Sequence, residues 1–174
     1  HIDYNFNMHT ANFNQLTMQA PTCCPKYSTA NGSGFSIGLL FEKPIKKISE
    51  SFILGSRLSY SSINAAFAEK TNIGNVELRK TTPPYEAITS VSSMAIYNLK
   101  SYIDLINLNL YASNNLFDKF VANLGINIGA INSALFDQWE ELSEPKDVVY
   151  YENGTRTRNK TTEMDIPNLK RIQL

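Results

Sequence analysis

The sequence predicts an all-β fold, namely an antiparallel up-and-down transmembrane β-barrel that is incomplete, with about five to six strands of about eight or more. Three observations support this prediction: several stretches alternate with a period of two, apolar runs of about 18 residues are absent, and the connections alternate between long and short. We expect a single partial barrel domain over residues 1–174, with long extracellular loops and without a separate periplasmic domain.

The clearest strand is residues 119–131, KFVANLGINIGAI. One face of this extended chain is apolar, and its members are Phe120, Ala122, Leu124, Ile126, Ile128 and Ala130. The other face is small and polar, and its members are Asn123, Gly125, Asn127 and Gly129. Such a strand suits a sheet with lipid outside and a crowded polar interior, and it equally suits one sheet of a soluble β-protein.

Four further strands are predicted from the same alternation, at residues 1–12, 34–41, 52–60 and 102–111. In the last of these, Ile103 and Leu105 are out of phase with Ile106, which indicates a β-bulge near Leu105–Ile106. Between residues 61 and 100 three short stretches look extended but polar, and the pattern there is weak.

The predicted connections alternate long, short, long, short, long, at residues 14–33, 43–51, 61–102, 112–118 and 132–170. Up-and-down strands would place every long connection at one end of the sheet and every short one at the other. Outer-membrane barrels have this asymmetry, with short periplasmic turns and long extracellular loops. A soluble sandwich gives no reason for it, so the connections favour the membrane interpretation.

Short phrases of the chain strengthen this prediction. GSGFSIGLLFEKPI and FILGSRLSYSSINAAF resemble the first strands of the OmpA-like outer-membrane β-barrel proteins of the Bacteroidota and related bacteria, and VANLGINIGAI, QWEELSEP, YENGTRTRN and DIPN follow in the same order. The resemblance implies a bacterial outer-membrane location, a barrel of about eight to ten strands and a preceding signal peptide. It also implies, in some members, a periplasmic peptidoglycan-binding domain. Because the sequence begins inside a strand pattern at His1, we expect a piece of a longer protein.

The strand phases divide the candidate residues between two environments. The polar side chains expected in the lumen are Asp3, His9, Glu42, Arg57, Asn123 and Asn127. The side chains expected to face lipid are Phe35, Ile37, Leu39, Phe41, Leu124, Ile126 and Ile128. An inward guanidinium must be paired, because an unpaired buried charge is costly. Arg57 would serve either as a gate of a small pore or as part of a structural polar plug. The plug is favoured, because side chains fill the interior of small barrels.

Two further groups have open interpretations. The tyrosines near strand ends fit an interfacial aromatic girdle as well as ordinary β-propensity; they are Tyr4, Tyr60, Tyr102 and Tyr111. The basic run Arg156, Arg158 and Lys160 would meet lipopolysaccharide phosphates or simply be a solvated loop. The adjacent Cys23 and Cys24 are interpreted as a loop pair between two prolines, with a disulfide or metal role as the alternative.

The net charge and the missing motifs exclude several classes of function. The formal net charge is zero, so we expect no nucleic-acid partner. No enzymatic role is expected, because no set of nucleophile, base and orienting group can be placed beside His9, the only internal histidine. No metal or cofactor is expected either, because the sequence has no CxxC or HxxxH pattern. The prediction is an outer-membrane β-barrel protein with a structural, surface-interaction or small-pore role, in contact with outer-membrane lipid. The alternative is a soluble or secreted β-rich binding module, lipocalin-like or adhesin-like.

Overall fold

The computed structural model describes residues 2–13, 27–117, 120–166 and 172–173, and every regular element in these ranges is a β-strand. The strands are β1 Ile2–Phe13, β2 Tyr27–Pro44, β3 Ile53–Lys80, β4 Ala87–Phe117, β5 Phe120–Glu144, β6 Val148–Tyr150, β7 Thr157–Asp165 and β8 Ile172–Gln173. The predicted all-β class is therefore confirmed.

The strands pair with their neighbours in sequence, antiparallel, in the order β1-β2-β3-β4-β5-β7. The short strand β6 pairs with β3. β8 pairs with β5 at Gly129–Ala130, whereas β7 pairs with the part of β5 from Leu135 to Glu141. Between the described residues, no pairing joins β1 to β7 or β8, so the sheet is open. The chain thus forms an antiparallel up-and-down sheet that fits an incomplete barrel.

All three predicted long connections are wrong in their extent, and residues 27–33 of the first already belong to β2. Residues 61–101 continue β3 and β4 as paired strands of 28 and 31 residues, which meet at a turn over residues 81–86. β5 likewise runs to Glu144 instead of ending near Ile131. At about 3.3 Å per residue, β4 is about 100 Å long, several times what a strand needs to cross a bilayer.

The alternation does not fade in these extensions; it reverses. At the end of β3 and β4 that holds Leu58 and Ile106, apolar residues occupy the exposed face of the sheet. On the other side of Tyr102, toward the turn over residues 81–86, they occupy the opposite face, as Phe67 and Leu99 do. The register pairs the exposed positions Leu58 and Leu108, and it also pairs Phe67 with Leu99. A change of phase looks like loss of pattern in a single strand, which explains why the sequence predicted a loop.

The predicted bulge lies at the expected level but on the neighbouring strand. The β4–β5 register shifts between Asp104 and Leu105, and the extra residue is Asn132 of β5. β4 therefore keeps its phase, so that Ile103 and Leu105 lie on the same face as Asn107. In β5 the inner face changes from odd-numbered residues such as Asn127 to even-numbered ones.

We use two names for the parts of this sheet. The lower half is residues 2–8, 34–62, 102–117 and 120–131, and the upper half is residues 27–31, 63–101 and 133–166. The core lies in the upper half, where a first cluster comprises Tyr27, Ala30, Ala65, Phe67, Tyr97, Leu99 and Phe136. A second cluster comprises Leu78, Leu142, Val148 and Tyr150. β6 reaches the edge of β3 opposite β4, so the chain between β5 and β7 passes across the inner face of the sheet.

Candidate functional site

The outer face of the lower half is an apolar band. All seven residues predicted to face lipid are exposed, and Leu39 and Leu124 are the most open at 78% and 81%. Cross-strand pairing aligns them into rows with Leu58 and Leu108, for example Leu39–Leu58–Leu108–Ile128. A continuous exposed apolar surface of this kind is typical of an interaction surface or a membrane-facing one.

Aromatic and charged side chains stand together where the band ends. The Asp104 carboxylate lies near the Tyr60 hydroxyl, and the Tyr102 hydroxyl donates to Asp137 Oδ2 at 3.3 Å. Above them, Lys100 Nζ lies 5.4 Å from the centre of the Trp139 ring. Tyr60 and Tyr102 thus lie at one margin of the band, a position that both an aromatic girdle and ordinary β-propensity allow.

Tyr111 does not belong to this margin, because it lies on the inner face and donates a hydrogen bond to Glu42 Oε1. Its ring covers Gly55, where an added Cβ would lie 2.1 Å from the Tyr111 ring. The glycine is therefore required by the close approach of the aromatic ring.

The inner face of the lower half is a polar groove of about 550 Å³. Arg57 Nη2 donates to Asp3 Oδ2 at 2.7 Å, and the Ser36 hydroxyl donates to the same oxygen at 3.4 Å. The residues that line the groove are Asp3, Ser36, Leu40, Arg57, Ser59, Ser61, Asn107, Asn109, Tyr111 and Asn127. The groove is thus an open space lined by paired and hydrogen-bonding side chains.

A packed apolar layer follows the groove on the same face. Phe67, Leu99 and Phe136 are buried there, at 8%, 2% and 0% exposure. They belong to one cluster that spans β3, β4 and β5. The polar groove is therefore followed by a dry core in the upper half.

A buried carboxylate organises the top of the upper half. Glu140, 1% exposed, accepts hydrogen bonds from the Tyr150 hydroxyl at 2.7 Å, Arg158 Nε at 2.8 Å and Asn159 Nδ2 at 2.8 Å. The Arg158 guanidinium also lies 4.3 Å from the centre of the Tyr150 ring. Burial, together with the hydrogen bond to Glu140, raises the pKa of Tyr150. Asn159 takes a φ of 53°, which asparagine tolerates better than most residues.

Arg156 fixes the chain that crosses the inner face. Its guanidinium donates to the backbone carbonyls of Pro145 at 3.0 Å and Val148 at 2.9 Å, and it also reaches those of Leu142, Ser143 and Lys146. Arg156 and Arg158 are therefore used within the fold, and the solvated-loop interpretation is wrong for both. Sequence reasoning missed this role because each partner is separated from the arginines by a strand reversal.

Several predicted residues are placed only in part. Asn123 lies opposite Ser113 near the lower end of the sheet and is exposed. The backbone of His9 pairs with Ala30, but its side chain lies outside the described residues, as do Cys23 and Cys24. In the described ranges, no group of three or more His, Cys, Asp or Glu side chains is arranged to hold a metal ion. Over the same ranges, no helix is long and apolar enough to cross a membrane.

Comparison with known proteins gives no relatives: no family model, curated protein or solved structure matches the chain.

Proposed function

We propose that this chain is part of a bacterial outer-membrane β-barrel protein of the OmpA-like kind, with a structural or surface-interaction role. The observation that carries the proposal is the reversal of the sheet's apolar face. Large apolar side chains are exposed in the lower half, whereas the buried apolar residues in the described part of the chain all belong to the upper half. The arrangement is explained if lipid surrounds the lower half and water surrounds the upper half.

The physical argument rests on the free energy of exposing apolar side chains. Leaving residues such as Leu39, Leu124 and Ile126 in water costs about 1.5–3 kcal/mol each relative to burial. In a bilayer the same side chains are favourably placed, and the polar groove side chains face inward as they do in outer-membrane barrels. Outer-membrane lipid is therefore the proposed partner of the band.

Within this proposal, a structural or surface role is better supported than a diffusion pore. The groove is crossed by the Asp3–Arg57 ion pair and then meets the buried layer of Phe67, Leu99 and Phe136. A water-filled path would have to pass that layer. For the complete protein in planar bilayers, we expect conductance at background level that Arg57→Ala leaves unchanged, whereas well-resolved channels altered by the substitution would establish the pore.

The membrane assignment is tested by detergent dependence combined with protease protection. The purified chain should stay monodisperse only in detergent, and after reconstitution into vesicles the lower-half strands should resist proteinase K. Cleavage should concentrate in the exposed turn over residues 81–86 and near Tyr151. A chain that is monodisperse without detergent and that does not partition into vesicles would overturn the proposal.

The second candidate is a soluble or secreted β-rich binding module. The packed core of the upper half favours it, since that part is built like a water-soluble β-protein. In this case the apolar band would be covered by protein, and the detergent-free chain would be an oligomer of defined size. Sedimentation of the detergent-free chain, which measures whether it is a defined oligomer, therefore separates the two candidates.

A further inference from the structure

A cleft of about 330 Å³ lies on the outer face of the sheet, next to the margin of the apolar band. Lys100 of β4 and Asp137 and Trp139 of β5 form one side, and Lys160 and Thr161 of β7 form the other. The Tyr102 hydroxyl, which contacts Asp137, connects the cleft to the band below it. The cleft therefore carries two lysines and one carboxylate, Asp137, which is paired in register with Lys100, directly above an apolar surface.

The charges in the cleft favour an anion. Among the described residues, neither Lys100 nor Lys160 forms a salt bridge. The Trp139 ring holds the Lys100 ammonium at 5.4 Å by a cation–π contact, which orients the charge without neutralising it. The Asp137 carboxylate is compensated in part, because it accepts hydrogen bonds from the Tyr102 hydroxyl at 3.3 Å and the Glu163 N–H at 2.9 Å.

We propose that this cleft binds the phosphorylated headgroup of a lipid of the outer leaflet. Lys100 and Lys160 would contact the phosphate through charge-assisted hydrogen bonds, and the Thr161 hydroxyl would donate to it. The acyl chains of the lipid would lie along Tyr102 and the band. The inference rests on the proposed function, because acyl chains lie there only if the band is in lipid.

The chain carries its own probe for this site. Trp139 is the single tryptophan of the sequence, so its fluorescence reports on the cleft alone. We expect the full chain in detergent micelles to show a saturable change in Trp139 emission on titration with lipopolysaccharide. The change should be much smaller with dephosphorylated lipopolysaccharide.

The variant Lys100→Ala/Lys160→Ala should weaken the apparent affinity about tenfold or more, because two charge-assisted contacts are lost. The matched control is Lys46→Ala/Lys47→Ala, which removes two exposed lysines from the turn at the opposite end of the band and should leave the titration unchanged. Lys160→Ala alone, which leaves the cation–π contact intact, provides a second variant if the double variant does not fold.

Three results would overturn the proposal: equal responses to phosphorylated and dephosphorylated lipid, equal affinities for the cleft and control variants, or saturation by inorganic phosphate alone. The last would identify a site for free phosphate instead of a headgroup. Failure of the proposed function is distinguished separately, by vesicles with brominated acyl chains. If these leave Trp139 unquenched in a chain that needs no detergent, the membrane assignment fails and the headgroup site fails with it.

Discussion

The two halves of this sheet are made from the same strands but are packed in opposite ways. In β5, Phe120 of the lower half is 66% exposed and Phe136 of the upper half is fully buried, although both belong to one continuous strand. The extra residue Asn132 lies between them and switches the face on which apolar side chains fall. One β-bulge thus helps a single sheet to present an apolar surface outward at one end and inward at the other.

The same contrast holds for charges. The ion pair of the lower half, Asp3–Arg57, lies in an open groove with side chains 37% and 33% exposed. The ion pair of the upper half, Glu140–Arg158, has its carboxylate in a dry core, at 1% exposure. The lower half therefore keeps polar groups solvated inside, and the upper half supplies buried polar groups with protein partners.

The largest expected effect compares the two phenylalanines of β5. Phe136→Ala should lower the free energy of unfolding by about 3–5 kcal/mol, because it removes a fully buried ring and leaves a cavity. Phe120→Ala, in detergent, should cost less than about 1 kcal/mol, since its ring is open to the surroundings. Urea unfolding in micelles measures both. Equal losses would mean that the halves are packed alike.

The next effect tests the medium around the lower half. Ile126→Arg should cost about 2–4 kcal/mol in folding titrations into lipid vesicles, because it places a charge on the exposed apolar face. Glu141→Arg is the control, an exposed position of the same strand in the upper half, and it should change the free energy by no more than about 0.5 kcal/mol. If Ile126→Arg folds as well as the control does, lipid does not surround the band.

A smaller effect compares the two ion pairs. Glu140→Gln should cost about 2 kcal/mol, because Arg158 would lose its closer, buried charged partner and keep only Glu152 at 3.8 Å. Asp3→Asn should cost about 1 kcal/mol or less, because solvent screens the half-exposed pair. Thermal unfolding of both variants in the same detergent provides the measurement, and a reversed order would contradict the burial difference.

The smallest effect is a dependence on pH. In the folded state, burial and the hydrogen bond to Glu140 raise the pKa of Tyr150, so the phenol keeps its proton where the unfolded chain loses it, near pH 10. The contribution of Tyr150 to the free energy of unfolding is therefore fully present below pH 10. It falls as the pH rises above 10, by about 1 kcal/mol at pH 11. In chemical unfolding between pH 8 and 11, Tyr150→Phe should show a shallower decline. An identical decline in the two proteins would assign the effect to other groups.

The lower half could be predicted from the sequence almost residue by residue. Phe35 to Phe41 and residues 119–131 alternate cleanly, and strand alternation is a local property that any stretch reveals by itself. The ends of the strands were harder to predict from the sequence. β3 continues well beyond Tyr60, and β4 begins well before Tyr102 in the sequence. In these parts the apolar residues change face, and the pattern is visible only when both strands are aligned.

By itself, then, the sequence determined the all-β class, the up-and-down order and the apolar and polar faces of the lower half. Only the tertiary structure decided how far the strands extend, that β6 pairs with β3, and that Arg156 and Arg158 serve the fold. The physical reason is the distance along the chain between the residues that interact. Alternation is set by neighbours two residues apart, whereas the core of the upper half joins residues such as Leu78 and Tyr150, which only the folded sheet brings together.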